Sequence, residues 1–332
     1  MYAKPIERRL DMTYISQDGK GDFRTITEAL ASLPEDNSSQ KIFYIGKGIY
    51  RELVSLTSPY VTFIGENSEN TIISGRLHAT MNMGDGSKRG TFRTYTCLVD
   101  AHDFTAKNIT FENSAGKGTD AGQALALYAD GDRLIFENCR FLGGQDTLFT
   151  GPLPPKEVEP GGFTGPKQFA PRINGRHFYK DCYFEGDIDF IFGSATAYFE
   201  SCTFFSKYTG REISSYVTAA STPKGQNYGY VMKDCRFESN CPPENAYLGR
   251  PWREYAKTVL IHCYMDSHIC QEGWHDWGKL SAHDNAFYGE YGSFGPGAVM
   301  GKRPYWVRRL TTSDLPQYAK EAVLGGTDNW KP

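Results

Sequence analysis

The 332-residue sequence predicts an all-β solenoid, a column of stacked strand-turn-strand coils with a short helix near its start and a helical segment near its end. Three observations predict it. A cysteine-centred unit recurs along the chain, and short alternating segments are separated by Gly, Asn, Asp and Ser. The length also exceeds the usual single-domain range, which suits coils that each bury themselves against their neighbours.

The elements follow in order. Residues 1–14 mix Lys4, Glu7, Arg8, Arg9 and Asp11 with isolated apolar residues, and no apolar h-region follows, so no signal peptide is expected. No apolar run approaches the ~20 residues that span a bilayer, and no membrane partner is expected. Thr25, Ile26, Thr27 and Glu28 form a capping-box pattern that opens a short amphipathic helix through Ala29, Leu30 and Leu33, ended by Pro34. Strands are expected at 41–45, 53–56, 61–64 and 71–74. The repeat then takes over. Segments 134–141, 177–184, 198–204 and 230–237 share aromatic or apolar residues, a small polar turn residue, Cys, one variable residue and Phe. A looser copy spans 259–265, and Asn108 takes the cysteine's place in 104–111. The series 108, 139, 182, 202, 235, 263 reads as one coil unit with loops of varying length. Cysteines recurring at one place beside Phe imply stacked, inward-facing thiols. A metal site is disfavoured, because no C-x-x-C pair exists and one ligand per coil forms a row instead of a tetrahedron. Eight cysteines used this way favour free thiols and a reducing compartment, so a cytoplasmic location is expected. Residues 313–326 carry an N-cap candidate, an early Pro and a closing Gly pair, and are expected to form a helix covering exposed strand edges.

A net charge of -3 provides no basic field for nucleic acid. The G-x-S-x-G elbow, Walker A sequence and H-E-x-x-H motif are absent, and the seven His show no ligand spacing, so no metal or cofactor is expected. Four clusters remain: 122–127 with Gln123, 143–149 with Gln145, Asp146 and Phe149, 186–193 with Asp187 and Asp189, and 247–252 with Arg250 and Trp252. Stacked coils bring such boundary positions onto one face. An Asp between Ile188 and Phe190 is costly to bury unless donors or a cation compensate it, and Arg250 supplies both.

These segments, 145–148, 189–193 and 248–252, together with 48–52 and 18–26, closely resemble the signature segments of pectin methylesterases, in family order from about Tyr14 to the C-terminal region. The resemblance implies a right-handed parallel β-helix, about residues 14–310 of a single 1–332 domain, with its site in a long cleft. It implies an aspartate-based esterase acting on methyl-esterified homogalacturonan or its oligomers, and a monomer is expected. Carried over residue by residue, Asp189 is the nucleophile, held ionised by Arg250, which keeps its pKa low. Asp146 is the acid and then the base, its pKa raised by desolvation and by the Asp189 charge. Gln123 and Gln145 donate to the oxyanion. Trp252, Phe149 and Trp274 offer flat faces to galacturonate rings, with packing as the alternative role for each. Asp187 is read as a turn residue satisfying backbone groups.

Two departures stand out. Phe149 occupies a position where many relatives carry Tyr. The interval of 43 positions between Asp146 and Asp189 is roughly twice that of better-known members, the excess lying in the Pro- and Gly-rich stretch 151–176. That stretch is expected to project as a loop, wall the cleft and favour short substrates. Two other classes stay open at this stage, a non-catalytic polysaccharide-binding β-helix and a polysaccharide lyase or glycosidase on the same architecture.

Overall fold

The structure, a computed structural model, describes residues 12–332. The expectation about a leader in residues 1–14 therefore lies almost wholly outside the described residues. Strands pair in parallel in an eleven-stranded, an eight-stranded and a seven-stranded sheet. The chain visits them in rotation. It runs from Val61–Gly65 in the first to Thr71–Gly75 in the second and Cys97–Val99 in the third, then returns to Thr105–Lys107 in the first. This is a parallel β-helix, right-handed as parallel crossovers are almost without exception.

The repeat makes one corner of each coil. Asn108, Asn138, Asp181, Ser201, Asp234 and His262 sit at φ between 50° and 58°, a left-handed turn that short polar side chains tolerate best. The next residue points inward: Ile109, Cys139, Cys182, Cys202, Cys235 and Cys263 are all buried. Cys139 Sγ donates to the Ala106 carbonyl and Cys182 Sγ to the Phe136 carbonyl, 3.4 Å each, one coil back. This corrects one expectation. Asn108 does not replace the cysteine; it matches Asn138, whose amide donates to Asn108 Oδ1 at 2.8 Å, and Ile109 holds the thiol's place. Two residues on, Phe111, Phe141, Phe184, Phe204 and Phe237 stack face to face at 4.7–5.5 Å. Phe136, Tyr179 and Phe199 form a second stack at 4.9 and 4.7 Å. Each buried ring contributes about 1.5–3 kcal/mol to the core along the axis of the solenoid.

The ends are covered differently. The helix Ile26–Ala31 has the expected capping box, with Glu28 N donating to Thr25 Oγ1 at 3.2 Å, and buries Ile26 and Ala29 in the core at the N-terminal mouth. The C-terminal segment splits into a 3-10 helix, Thr312–Tyr318, and a helix, Lys320–Leu324, because Ala319 is extended. Tyr318, Val323 and Leu324 pack on Phe178, Tyr198 and Val231, which point outward from the eleven-stranded sheet. The segment thus covers a sheet face, where apolar side chains stand, and not the strand edges expected from sequence.

Candidate active site

The site lies on the outer face of the seven-stranded sheet. Tyr128, Phe149, Phe192 and Ala219 are register partners on successive strands and pack outward as one apolar floor with Phe92, Leu153 and Phe163. Two carboxylates stand beside this floor. Leu148 pairs with Ile191, so Asp146 and Asp189, each two residues earlier, occupy matching places on neighbouring coils. Both are left-handed, at φ 63° and 52°, a conformation Asp bears better than most residues at a cost of about 1 kcal/mol or more. Small residues let the coils approach here. A Cβ on Gly144 would come within 2.4 Å of the Gly116 carbonyl oxygen, and one on Gly186 within 2.7 Å of the Gly144 carbonyl oxygen.

Arg250 follows the strand Ala246–Gly249 two coils on. Its Nε and Nη2 donate to the two Asp189 oxygens at 2.8 and 2.7 Å, a bidentate pair with both side chains largely buried. The guanidinium is sandwiched between the rings of Tyr216 and Trp277, 3.8 Å from each centroid. Asp146 is 7% exposed, and its carboxyl has no hydrogen-bond or ion-pair partner among the described residues. Burial, and then the Asp189 charge, hold it well above the ordinary carboxylate range. Burial also raises Asp189, against the opposing hydrogen bonds and charge of Arg250. The expectation that Arg250 leaves Asp189 with a low pKa is corrected to that extent: desolvation outweighs the partner. Lys279, over the Trp277 ring at 4.2 Å, is brought down to about 8 by burial and by Arg253 and Arg250.

Gln123 and Gln145 bridge on adjacent coils, Ala124 N donating to the Gln145 carbonyl at 3.0 Å. Both line the cleft with Asp146, Asp189, Arg250 and Trp252, and no side-chain hydrogen bond engages either amide among the described residues. Asp187 serves the backbone, as expected, accepting from Gly118 N and Ile188 N at 2.9 and 2.6 Å. Two candidate ring faces are corrected. Phe149 is fully buried in the floor, against Tyr128 and Phe192 at 4.7 and 4.9 Å. Trp274 is 2% exposed, stacks on Tyr288 at 4.3 Å and donates Nε1 to Glu290 at 2.8 Å inside the solenoid. Trp277, and not Trp274, lines the cleft. Sequence reasoning missed it and Tyr216, since neither lies in a signature segment. The expected loop does wall the cleft: Val158, Glu159, Gly162 and Phe163 line it, and Phe163 packs on Trp252 at 6.3 Å.

A family model described as Pectinesterase matches residues 12–152 and 172–326, leaving most of that loop outside. Pectinesterase 31 of Arabidopsis thaliana is 36% identical over 320 residues, 94% of this chain and 92% of that one. Among solved structures, the pectin methylesterase from carrot is similar with a TM-score of 0.81 and 28% identity, over 98% of this chain and 96% of that one. A pectin methylesterase in complex with a hexasaccharide is similar at 0.76 and 28%, over 96% and 98%.

Proposed function

The chain belongs to the pectinesterase family of ester hydrolases, and on that premise we propose that it removes methyl esters from galacturonate chains through Asp189, Asp146 and a pair of glutamine amides. The observation that carries this is the pairing of a bidentate, buried Asp189–Arg250 with a buried Asp146 that has no partner among the described residues, in matching register one coil away.

The ionised Asp189 attacks the ester carbonyl carbon. Charge develops on the carbonyl oxygen, where the unspent amides of Gln123 and Gln145 donate, each worth about 3 kcal/mol when well placed. Collapse breaks the bond to the methoxy oxygen, which takes the Asp146 proton and leaves as methanol. Asp189 is then joined to the sugar as an anhydride. Asp146, now ionised, takes a proton from water, and the hydroxide attacks the anhydride to release the free galacturonate carboxylate and restore Asp189. The substrate is methyl-esterified homogalacturonan or its oligomers, a choice supported by the oligosaccharide complex of the related enzyme. Trp252, at the cleft wall, supplies a ring face.

Methanol release from methylated pectin, measured beside ultraviolet absorbance for unsaturated products and a reducing-end assay, tests the reading. Methanol alone is expected. Asp189→Asn should abolish it in a variant that still folds, because an amide cannot form the anhydride. Near-normal methanol release by a folded Asp189→Asn variant would remove Asp189 from the nucleophile's role, and unsaturated or new reducing ends would point to a lyase or glycosidase.

A further inference from the structure

The stretch outside the family match is a built part of the cleft. Its base is pinned where Lys167 pairs with Asp100 and approaches Asp130 at 4.0 Å, and where the Arg172 guanidinium donates to the carbonyls of Pro154, Lys167, Gln168 and Ala170. Its tip is fastened at the cleft by buried Phe163 and by Arg253 Nη2, which donates to the Lys156 carbonyl at 3.3 Å. Within the tip, the Glu157 carboxylate accepts from Gly161 N and Phe163 N at 3.1 and 3.3 Å. The turn so made holds Val158 and Glu159 at the cleft. Val158 is 73% exposed.

Glu159 is exposed, and among the described residues no hydrogen bond or cation engages its carboxylate. None of the cations of the cleft pairs with it. Arg250 holds Asp189, Arg253 donates to the Trp252 and Lys156 carbonyls, and Lys279 donates to the Pro251 and Trp252 carbonyls. A galacturonate chain differs from residue to residue in one respect that such a wall senses: a free acid carries a negative charge, whereas a methyl ester is neutral and ends in a methyl group.

We propose that Val158 and Glu159 make the loop side of the cleft a subsite for methyl-esterified galacturonate, the valine meeting the ester methyl and the carboxylate repelling a free acid. Resting on the esterase function above, this makes the enzyme select esters that have an esterified neighbour. Its products then accumulate as substrates that it handles less well, and de-esterification slows as it proceeds.

The test compares the wild type, Glu159→Gln and Glu159→Lys for methanol release on pectins of high, middle and low esterification. Each enzyme's kcat/KM per ester is normalised to its own value on the most esterified sample, at low and at high salt. The wild type should fall steeply as free acids increase. Glu159→Gln should flatten that fall by about two- to fivefold, the range of one exposed charge pair, and Glu159→Lys should flatten it further. High salt should narrow the differences. Superimposable profiles for the three enzymes at low salt would overturn the subsite while leaving the esterase reading intact. Absence of methanol from every substrate with the wild type would instead fail the esterase reading.

Discussion

Arg250 is held by three kinds of contact at once: two hydrogen bonds to Asp189, a ring on each side, and its own backbone N donating to the Thr218 carbonyl at 2.9 Å. A lysine keeps the charge but loses both the fork and the stacking plane. Arg250→Lys should therefore leave Asp189 misplaced and lower kcat by about 100-fold with little change in KM. An equal rise in KM would place Arg250 in substrate binding instead. Asp146 makes a separate prediction. Its folded pKa is raised above the value in the unfolded chain, so the folded state binds the proton more tightly. The stability linked to that proton is complete below the ordinary carboxylate pKa and is lost as pH rises through the raised value. Asp146→Asn removes the loss. The variant should melt at the wild-type temperature near pH 4 and increasingly above it toward pH 8, while releasing no methanol. A constant difference across that range would show that Asp146 does not carry the retained proton. These polar residues were legible in the sequence because each sits in a short segment with Gly and apolar neighbours. The aromatic ones were not. Trp274 and Trp277 look alike in sequence, yet Trp274 bridges to Gly249 in the coil ladder and turns inward, whereas Trp277 sits in a turn at φ 58° and reaches the guanidinium.

At the scale of elements, the strand ladder was readable because its corner repeats: a left-handed polar residue, a small inward residue, and Phe two positions later. The one-residue slip at Asn108 arose because Ile109, a larger apolar residue, fills the thiol's place. The C-terminal segment was legible as helical, but its target was not, since the outward apolar residues of Phe178, Tyr198 and Val231 come from three coils far apart in sequence. The inserted loop shows the opposite case. Its Pro and Gly content announced a loop, but only the structure reveals buried anchors, Leu153 and Phe163, and the Lys167 and Arg172 tethers. A wall fixed in this way narrows the cleft without having to close. Replacing residues 153–174 by a short Gly-Ser linker should expose the floor at Phe149 and Phe192 and raise kcat/KM on intact pectin relative to short methylated oligomers. An unchanged ratio would mean that the loop does not select substrate length.

The whole molecule is one column in which the site and the core share coils. Asp146 and Cys139 belong to one coil and Asp189 and Cys182 to the next, with the stacked Phe141 and Phe184 between them. Register on the outer face is therefore set by packing on the inner one. Losing the stack would move the carboxylates as well as the thiols. The eight cysteines are unpaired; burial lifts the thiols of Cys139, Cys202 and Cys263 well above their ordinary value, against the same burial hydrogen bonds from the neighbouring thiols draw Cys182 and Cys235 down to about 5, and burial closes access to all five. Cys241 is partly exposed and lies outside the ladder. In native protein an alkylating reagent should modify Cys241 first and leave the ladder intact with activity retained. Along a urea titration, labelling of Cys139 and Cys182, read by peptide mass spectrometry, should rise with the same midpoint as the loss of methanol release, because opening these coils dismantles the site. Labelling of either thiol at urea concentrations that leave activity unchanged would show that the axis opens independently of the outer face, and that the catalytic register is held by the seven-stranded sheet alone.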